Sequence, residues 1–254
     1  VSVRVVKIGG AALTDGSWLG AFADAVAAAA DDLVIVHGGG PEISALSERL
    51  GVAVEWVDGR RVTPDAALDA ASMVLNGRVN KRLVSALITA GADAIGLSGE
   101  DGGLITAEVA AGGALGRVGH VGSVRSALLS MLIGAGMVPV IAPISRGPGG
   151  VALNVNADEV ACAVAVAMGA RELLFVTDVD GVRDADGITL SALDPVHGES
   201  LLASGVAGGG MAVKLRAALD ALARGVAQVR IGSIAALVNS DAGTLVGATA
   251  VEAA

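Results

Sequence analysis

DLVIVHGGGP, residues 32–41, runs from a buried strand through three glycines into a helix start. Leu33, Val34, Ile35 and Val36 form a short apolar, β-branched run, the composition of a strand covered on both faces. Pro41 stands where a first helical residue would. Gly38, Gly39 and Gly40 leave their backbone N–H groups bare, with the positive end of a helix behind them, a ready site for an anion. A second corner occurs where Val5-Val6-Lys7-Ile8 enters Gly9-Gly10. Glycine corners at the carboxyl ends of neighbouring parallel strands can face one crevice, and that crevice is the predicted active site. Either corner alone reads equally well as a tight turn without a ligand.

Composition narrows the class. The chain has 254 residues, 53% of them hydrophobic, enough for one large α/β domain or two lobes sharing a sheet. With two Trp, two Phe and no Tyr, the core must be built from small aliphatic residues, which suit helices packed closely on a parallel sheet. The apolar run Val160–Ala170 falls far short of the ~18 residues a membrane-spanning helix needs. No basic-then-apolar leader opens the chain, and the single cysteine, Cys162, reads as a core residue. A soluble cytoplasmic protein is expected. A net charge of −9 argues against nucleic acid and against an acidic protein partner, yet a few lysines can reverse the field within one cleft.

Along the chain, Val3–Ile8 reads as strand and 17–30 as helix, followed by strand 33–36 and helix 41–50. Residues 52–62 form a hairpin around Asp58-Gly59, with Arg60 and Arg61 just after the turn. Thr63-Pro64 reads as N-cap and first helical residue of a helical stretch to Ala90, broken near Asn76-Gly77. Arg78, Lys81 and Arg82 on its second half read as a solvated face. Residues 94–97 form a strand ending in a turn whose Glu100-Asp101 pair is too isolated for a metal site. Residues 104–109 and 117–121 form an edge hairpin, 126–133 a helix, and 138–141 a strand. The Gly/Pro-rich loop 145–150 is the candidate boundary between lobes 1–148 and 149–254.

Beyond it, Asn154, Asn156 and Asp158 alternate with apolar residues, presenting two amides and a carboxylate on one edge. Asn156 with Glu159 also fits a helix cap, and all three polar residues can be read as capping and turn residues. Helix 158–168 and strand 172–176 follow, then a ligand-loop candidate, 177–182, and a turn at 184–187. Gly208-Gly209-Gly210 opens a helix carrying Lys214 in its first turns, where a cation opposes the helix dipole unless an anion compensates. Residues 228–231 and 244–246 complete the sheet. Lys7, a lysine inside an apolar strand, either snorkels outward or points at something negative in the crevice.

The chain carries no GxxxxGK[ST], HExxH or GxSxG pattern, and no GxGxxG between a strand and a helix. Glycine corners, two lysines in strained positions and one carboxylate suit phosphoryl transfer, where a protein mainly positions reactants and neutralises charge. An acceptor that is already a carboxylate needs no general base, in keeping with only three histidines, His37, His120 and His197.

KIGG at Lys7, VHGGGP ending at Pro41, GRRVTP at Gly59, NKRL at Asn80, GHVG at Gly119, LNVNADE at Leu153, TDVDGV at Thr177 and GGGMAVKLRAAL at Gly208 occur in an order that resembles the amino-acid kinase superfamily. The likeness covers nearly the whole chain and is strongest to its N-acetylglutamate kinase branch. It implies an open, mainly parallel central α/β sheet sandwiched by helices, shared by an N-terminal acceptor lobe and a C-terminal nucleotide lobe. By the same resemblance, Lys7 and Lys214 stabilise the phosphoryl group in transit and Asp158 holds both. Gly39, Gly40, Arg61 and Asn154 bind the acylated amino acid, and Gly10 contacts the phosphoryl group. Asp178, Val179, Asp180, Gly181, Val182 and Arg183, with Val206, Ala207 and Gly208, hold ATP, whose Mg²⁺ is carried by phosphate oxygens rather than by a protein metal site. The implied product is N-acetyl-γ-glutamyl phosphate, in arginine biosynthesis.

Arginine-inhibited members resemble a hexamer of dimers linked by an extra N-terminal helix. With strand one beginning at Val3, a homodimer insensitive to arginine is expected, joined through the helix at 77–89. The nearest rival is the related kinase of carrier-bound aminoadipate, which shares the NKRL and AIGLSG segments. Its acidic carrier would meet the negative charge of this chain. A non-catalytic member of the fold also fits these motifs, as do kinases for aspartate, glutamate, UMP or a differently acylated glutamate.

Overall fold

The computed structural model describes residues 3–29, 31–57 and 59–247. Its strands are β1 (Val3–Ile8), β2 (Asp32–His37), β3 (Trp56–Val57), β4 (Arg60–Arg61), β5 (Ala94–Ser98), β6 (Ile105–Val109), β7 (Val118–Val124), β8 (Val138–Ala142), β9 (Ile144–Arg146), β10 (Ala152–Val155), β11 (Glu172–Val176), β12 (Ala192–Leu193), β13 (Val229–Gly232) and β14 (Thr244–Val246). The main helices are α1 (Gly16–Ala28), α2 (Gly40–Arg49), α3 (Asp65–Ser72), α4 (Asn80–Thr89), α5 (Ser126–Gly134), α6 (Ala157–Met168), α7 (Pro195–Ala203) and α8 (Gly209–Ala223). Eight strands form the central sheet in the order β12-β14-β13-β11-β1-β2-β8-β5, parallel except for the β13–β14 pair.

Strand period 2 sorts the side chains into two apolar layers. Val3, Val5, Val34, Val36, Leu173 and Phe175 join one layer with α5, α6 and α8, while Val6, Ile8, Leu33, Ile35, Leu174 and Val176 join the other with α1 and α4. The same alternation decides where the polar strand residues go. Lys7 shares a face with Val5, toward α6, and His37 shares one with Ile35, toward α4. At the amino ends, Arg4 and Arg230 both pair with buried Glu172, and Arg4 also donates to the Ala236 and Leu237 carbonyls.

Several local expectations are corrected. The helical stretch after Pro64 is not broken at Asn76-Gly77: it continues through seven residues of π-helix, Met73–Val79, between α3 and α4. Widening the turn absorbs the residue that would otherwise rotate α4 out of register. Thr63 does not cap α3. Pro64 occupies the cap position, and the Thr63 hydroxyl donates to the Arg61 carbonyl at 2.8 Å. Segment 145–150 is not all loop, because β9 pairs with β10 across it. The 104–121 hairpin is part of a closed four-stranded sheet, β10-β7-β6-β9, rather than a bare edge. Arg78 and Arg82 are not simply solvated, since both pair with Glu42. Asp58 and Ala30 lie outside the described residues, and β12 and α7 form where the sequence carries no clear pattern for either. Asn156 does cap α6, accepting from the Asp158 and Glu159 amides. No helix among the described residues is long and apolar enough to cross a membrane.

Candidate active site

β1, β2 and β11 lie side by side, so the segments that leave their carboxyl ends emerge together. From β1 the chain turns toward β2, and from β11 it turns the other way toward β13, which opens a crevice between them. Gly9-Gly10 follows β1, Gly38-Gly39-Gly40 follows β2, and Thr177-Asp178 follows β11. The Gly38 N–H donates to the Ile8 carbonyl at 3.1 Å, which extends the ladder into the glycines. A Cβ on Gly10 would lie 2.5 Å from Gly39 Cα, and one on Gly39 would lie 2.8 Å from Leu75 Cδ2. The two corners therefore touch backbone to backbone. α2 starts at Gly40 with Pro41 in its first turn, so its positive end meets the same space.

A cleft of about 280 Å³ opens there, lined by Lys7, Gly10, Gly39, Gly40, Arg61, Asn154 and Asp158 among others. Lys7 Nζ lies 2.8 Å from Asp158 Oδ1, with the two side chains 12% and 17% exposed. Asp158 sits in the first turn of α6, where the helix dipole favours its negative charge. The contact pairs opposite charges and holds the ammonium at the edge of the cleft.

Arg61 enters from the β3–β4 hairpin. Its Nη2 donates to the Gly40 carbonyl at 3.1 Å and to Ser44 Oγ at 2.7 Å, and its guanidinium stacks over Trp56 with 4.5 Å to the ring centre. Among the described residues its Nη1 is buried without a partner, and burial lowers the Arg61 pKa from the usual guanidinium value. A buried, unspoken-for cationic donor in a cleft fits an anionic ligand, above all a carboxylate. Asn154 reaches the cleft from β10 and donates to Thr63 Oγ1 at 3.3 Å.

Sequence reading gives no role to Trp56 or the other arginine of the hairpin, and reads Glu159 only as part of a helix cap. Arg60 Nη1 meets His120 Nε2 at 2.8 Å. Because arginine only donates, Nε2 accepts and the proton sits on Nδ1, facing the Glu159 carboxylate at 3.2 Å. Glu159 also accepts from the Val121 amide at 2.8 Å. This chain of contacts ties the hairpin to β7 and α6. Its members fall in the GRRVTP, GHVG and LNVNADE segments, which nothing in the local pattern joins to one another.

A second cleft, about 410 Å³, is lined by Asp178, Val179, Gly181, Arg183, Val206, Ala207, Gly208 and Lys214. Asp178 is held below the usual carboxylate range, first by the Thr177 hydroxyl and also by the Lys214 ammonium. Two residues of the expected nucleotide set fall elsewhere. Asp180 lines a neighbouring cavity with Thr189 and Asp241, and Val182 is a core residue whose amide donates to Thr244 Oγ1.

Of the two lysines that Asp158 is expected to hold, the structure brings one to it. Among the described residues it pairs with Lys7, and Lys214 makes no ion pair. A long side chain on a helix folds back toward the N-terminus, so Lys214 Nζ settles near Gly210 in its own helix rather than reaching α6.

Known proteins resemble this chain along nearly its whole length. The family model "Amino acid kinase family" matches residues 2–233. An acetylglutamate kinase of Chloroflexus aurantiacus is 49% identical over 246 residues, covering 96% of each chain. One from Roseiflexus sp. is 48% identical over 237 residues, covering 92% of this chain and 90% of the relative. Among solved structures, N-acetylglutamate synthase from Neisseria gonorrhoeae, complexed with coenzyme A and N-acetyl-glutamate, superposes with a TM-score of 0.84 at 25% identity, over 98% of this chain and 60% of that one. The chain belongs to the amino acid kinase family.

Proposed function

We propose that this protein transfers the γ-phosphoryl group of ATP to the γ-carboxylate of N-acetyl-L-glutamate, giving N-acetyl-γ-glutamyl phosphate and ADP in arginine biosynthesis. One observation carries the choice of acceptor: Arg61 Nη1, without a partner among the described residues, sits in the same cleft as the Asp158-tethered Lys7. A substrate with two carboxylates can place one on each cation. The names of the relatives at 48–49% identity support the same acceptor.

In this reading the α-carboxylate meets Arg61, with Asn154 and the Gly39 and Gly40 backbone completing the contacts. The γ-carboxylate oxygen attacks the γ-phosphorus, an O–P bond forms, and the bond to the β,γ-bridging oxygen breaks as ADP leaves. The attacking carboxylate is already ionised, so no base is required. Lys7 from the first cleft and Lys214 from the second neutralise charge on the moving group, and the Gly10 amide contributes from the corner. ATP occupies the second cleft and brings Mg²⁺ on its own phosphate oxygens. Residues 1–148 supply β1, β2, β5 and β8 on one side of the sheet, and 149–254 supply β11 to β14 on the other, which supports an acceptor lobe and a nucleotide lobe. A cytoplasmic homodimer completes the proposal.

The test is an ADP-release assay across N-acetylglutamate, free glutamate, longer N-acyl glutamates and aminoadipate. Turnover should be highest with N-acetylglutamate. A preference for another acceptor would reassign the substrate.

A further inference from the structure

His37 and Asn80 make none of the substrate contacts, yet both are almost fully enclosed directly beneath the glycine turn. Asn80 begins α4, and its side chain is oriented from both ends. Its Nδ2 donates to the Val140 carbonyl at 3.0 Å, which can only accept, and its Oδ1 accepts from Lys81 Nζ at 3.2 Å, which can only donate. The remaining N–H of Nδ2 therefore meets His37 Nε2, 3.1 Å away, and that nitrogen must accept. The imidazole proton is thereby fixed on Nδ1, where it donates to the Gly38 carbonyl at 3.1 Å. Donors run in one direction, from Lys81 through Asn80 and His37 to Gly38.

The last link has a consequence for the cleft. A trans peptide is planar, with its C=O and the following N–H pointing in opposite directions. Tying the Gly38 carbonyl to a ring buried on the α4 side turns the Gly39 N–H away from that side. That N–H has no acceptor among the described residues, and Gly39 lines the cleft beside Gly10. Two further features serve the relay. The π-helix at Met73–Val79 sets the rotation of α4 and also packs Leu75 under Gly39. Gly96 on β5 has no side chain because a Cβ there would overlap Asn80 Oδ1.

We propose that His37 and Asn80 are positioning residues, which fix the Gly38–Gly39 peptide so that the Gly39 N–H is aimed at an anionic oxygen in the cleft. Its kinetic side rests on the phosphoryl-transfer reading above.

Two near-isosteric substitutions separate aiming from packing. In His37→Asn the amide nitrogen can occupy the place of Nδ1 and keep the donor to Gly38, while the contact to Asn80 is lost. In His37→Gln the amide can keep the Asn80 contact, while the donor to Gly38 is lost. Both shrink a buried ring. An aiming role predicts that His37→Gln loses kcat/KM for the acceptor by about tenfold to a hundredfold, because the misdirected Gly39 N–H is a donor to the bound acceptor. His37→Asn should recover most of that loss, and Asn80→Ala should fall between them. Equal losses in the two His37 variants, or no loss in His37→Gln, would overturn the inference.

The ¹⁵N–¹H resonance of Gly39 gives a readout that needs no turnover. It should move in His37→Gln and stay near its wild-type position in His37→Asn. If the wild type fails to phosphorylate N-acetylglutamate, the assigned acceptor is wrong, and the resonance alone decides the relay. Identical spectra for the two variants would then overturn it.

Discussion

Lys7 and Asp158 are 151 residues apart in sequence, yet their charged atoms lie 2.8 Å apart at the carboxyl edge of the sheet. Strand period 2 turns Lys7 toward α6, and the Asn156 cap fixes the first turn of α6 so that Asp158 meets it. The pair is an ammonium held in place by a helix start.

Charge and geometry can be separated at this pair. Asp158→Asn should lower kcat by about a hundredfold or more, because Lys7 loses its tether at the reacting oxygens. It should also destabilise the fold by about 2 kcal/mol, less than for a fully buried pair because both side chains keep some solvent contact. Adding Lys7→Met to Asp158→Asn should restore most of the stability and none of the activity, as read by urea unfolding and turnover on the same preparations.

Arg61 predicts a different kinetic signature. Arg61→Lys keeps the charge but loses the planar fork over Trp56 and the second nitrogen aimed into the cleft. The KM for N-acetylglutamate should rise by about a hundredfold, while the KM for ATP stays within a factor of about two, since losing a charge-assisted bond to one substrate costs roughly 1.5–3 kcal/mol. A matching rise in both constants would remove Arg61 from the acceptor site.

Lys214 is partly exposed and makes no ion pair among the described residues, so Lys214→Met should leave the melting temperature nearly unchanged. Turnover should drop by about a hundredfold to a thousandfold, the usual effect of losing one transition-state charge contact. A large loss of stability with little loss of turnover would contradict its place beside the phosphates.

Stability should depend on pH through His37, whose burial pushes its pKa from 6.5 down to about 4. Above 6.5 the ring is neutral in both folded and unfolded chains. Between 6.5 and about 4 only the unfolded chain takes up the proton, so stability falls as the pH drops through that window. The loss from this group should approach about 3 kcal/mol by the lower end. Urea titrations at pH 7 and 4.5 on wild type and His37→Asn should show the slope shrink in the variant. Asp178, whose pKa is lowered from 3.8, loses its contribution only at still lower pH.

What the sequence made legible was local. The bounds of β1, the cap at Asn156 and the two touching glycine corners follow from residues near one another in the chain. The Arg60–His120–Glu159 chain and the Asn80–His37 bond close over dozens of residues and leave no periodic trace. Asn76-Gly77 reads as a break by propensity, but packing of Leu75 and Val79 beneath Gly39 keeps that stretch helical and widens it instead. Val182 lies in a loop whose position suggests ligand contact, and its apolar side chain turns inward to the core. Lys214 is placed by its loop and helix, while the direction of its flexible stem depends on contacts that no local pattern encodes.

The most direct test traps the acyl phosphate as its hydroxamate, using N-acetylglutamate, ATP and Mg²⁺ with wild type, Lys7→Met and Lys214→Met. Convergence of two ammonium groups on one phosphoryl group predicts abundant hydroxamate from the wild type and about a hundredfold less from each variant, with both variants folded. Wild-type yield from either lysine variant, or no hydroxamate from the wild type, would contradict it.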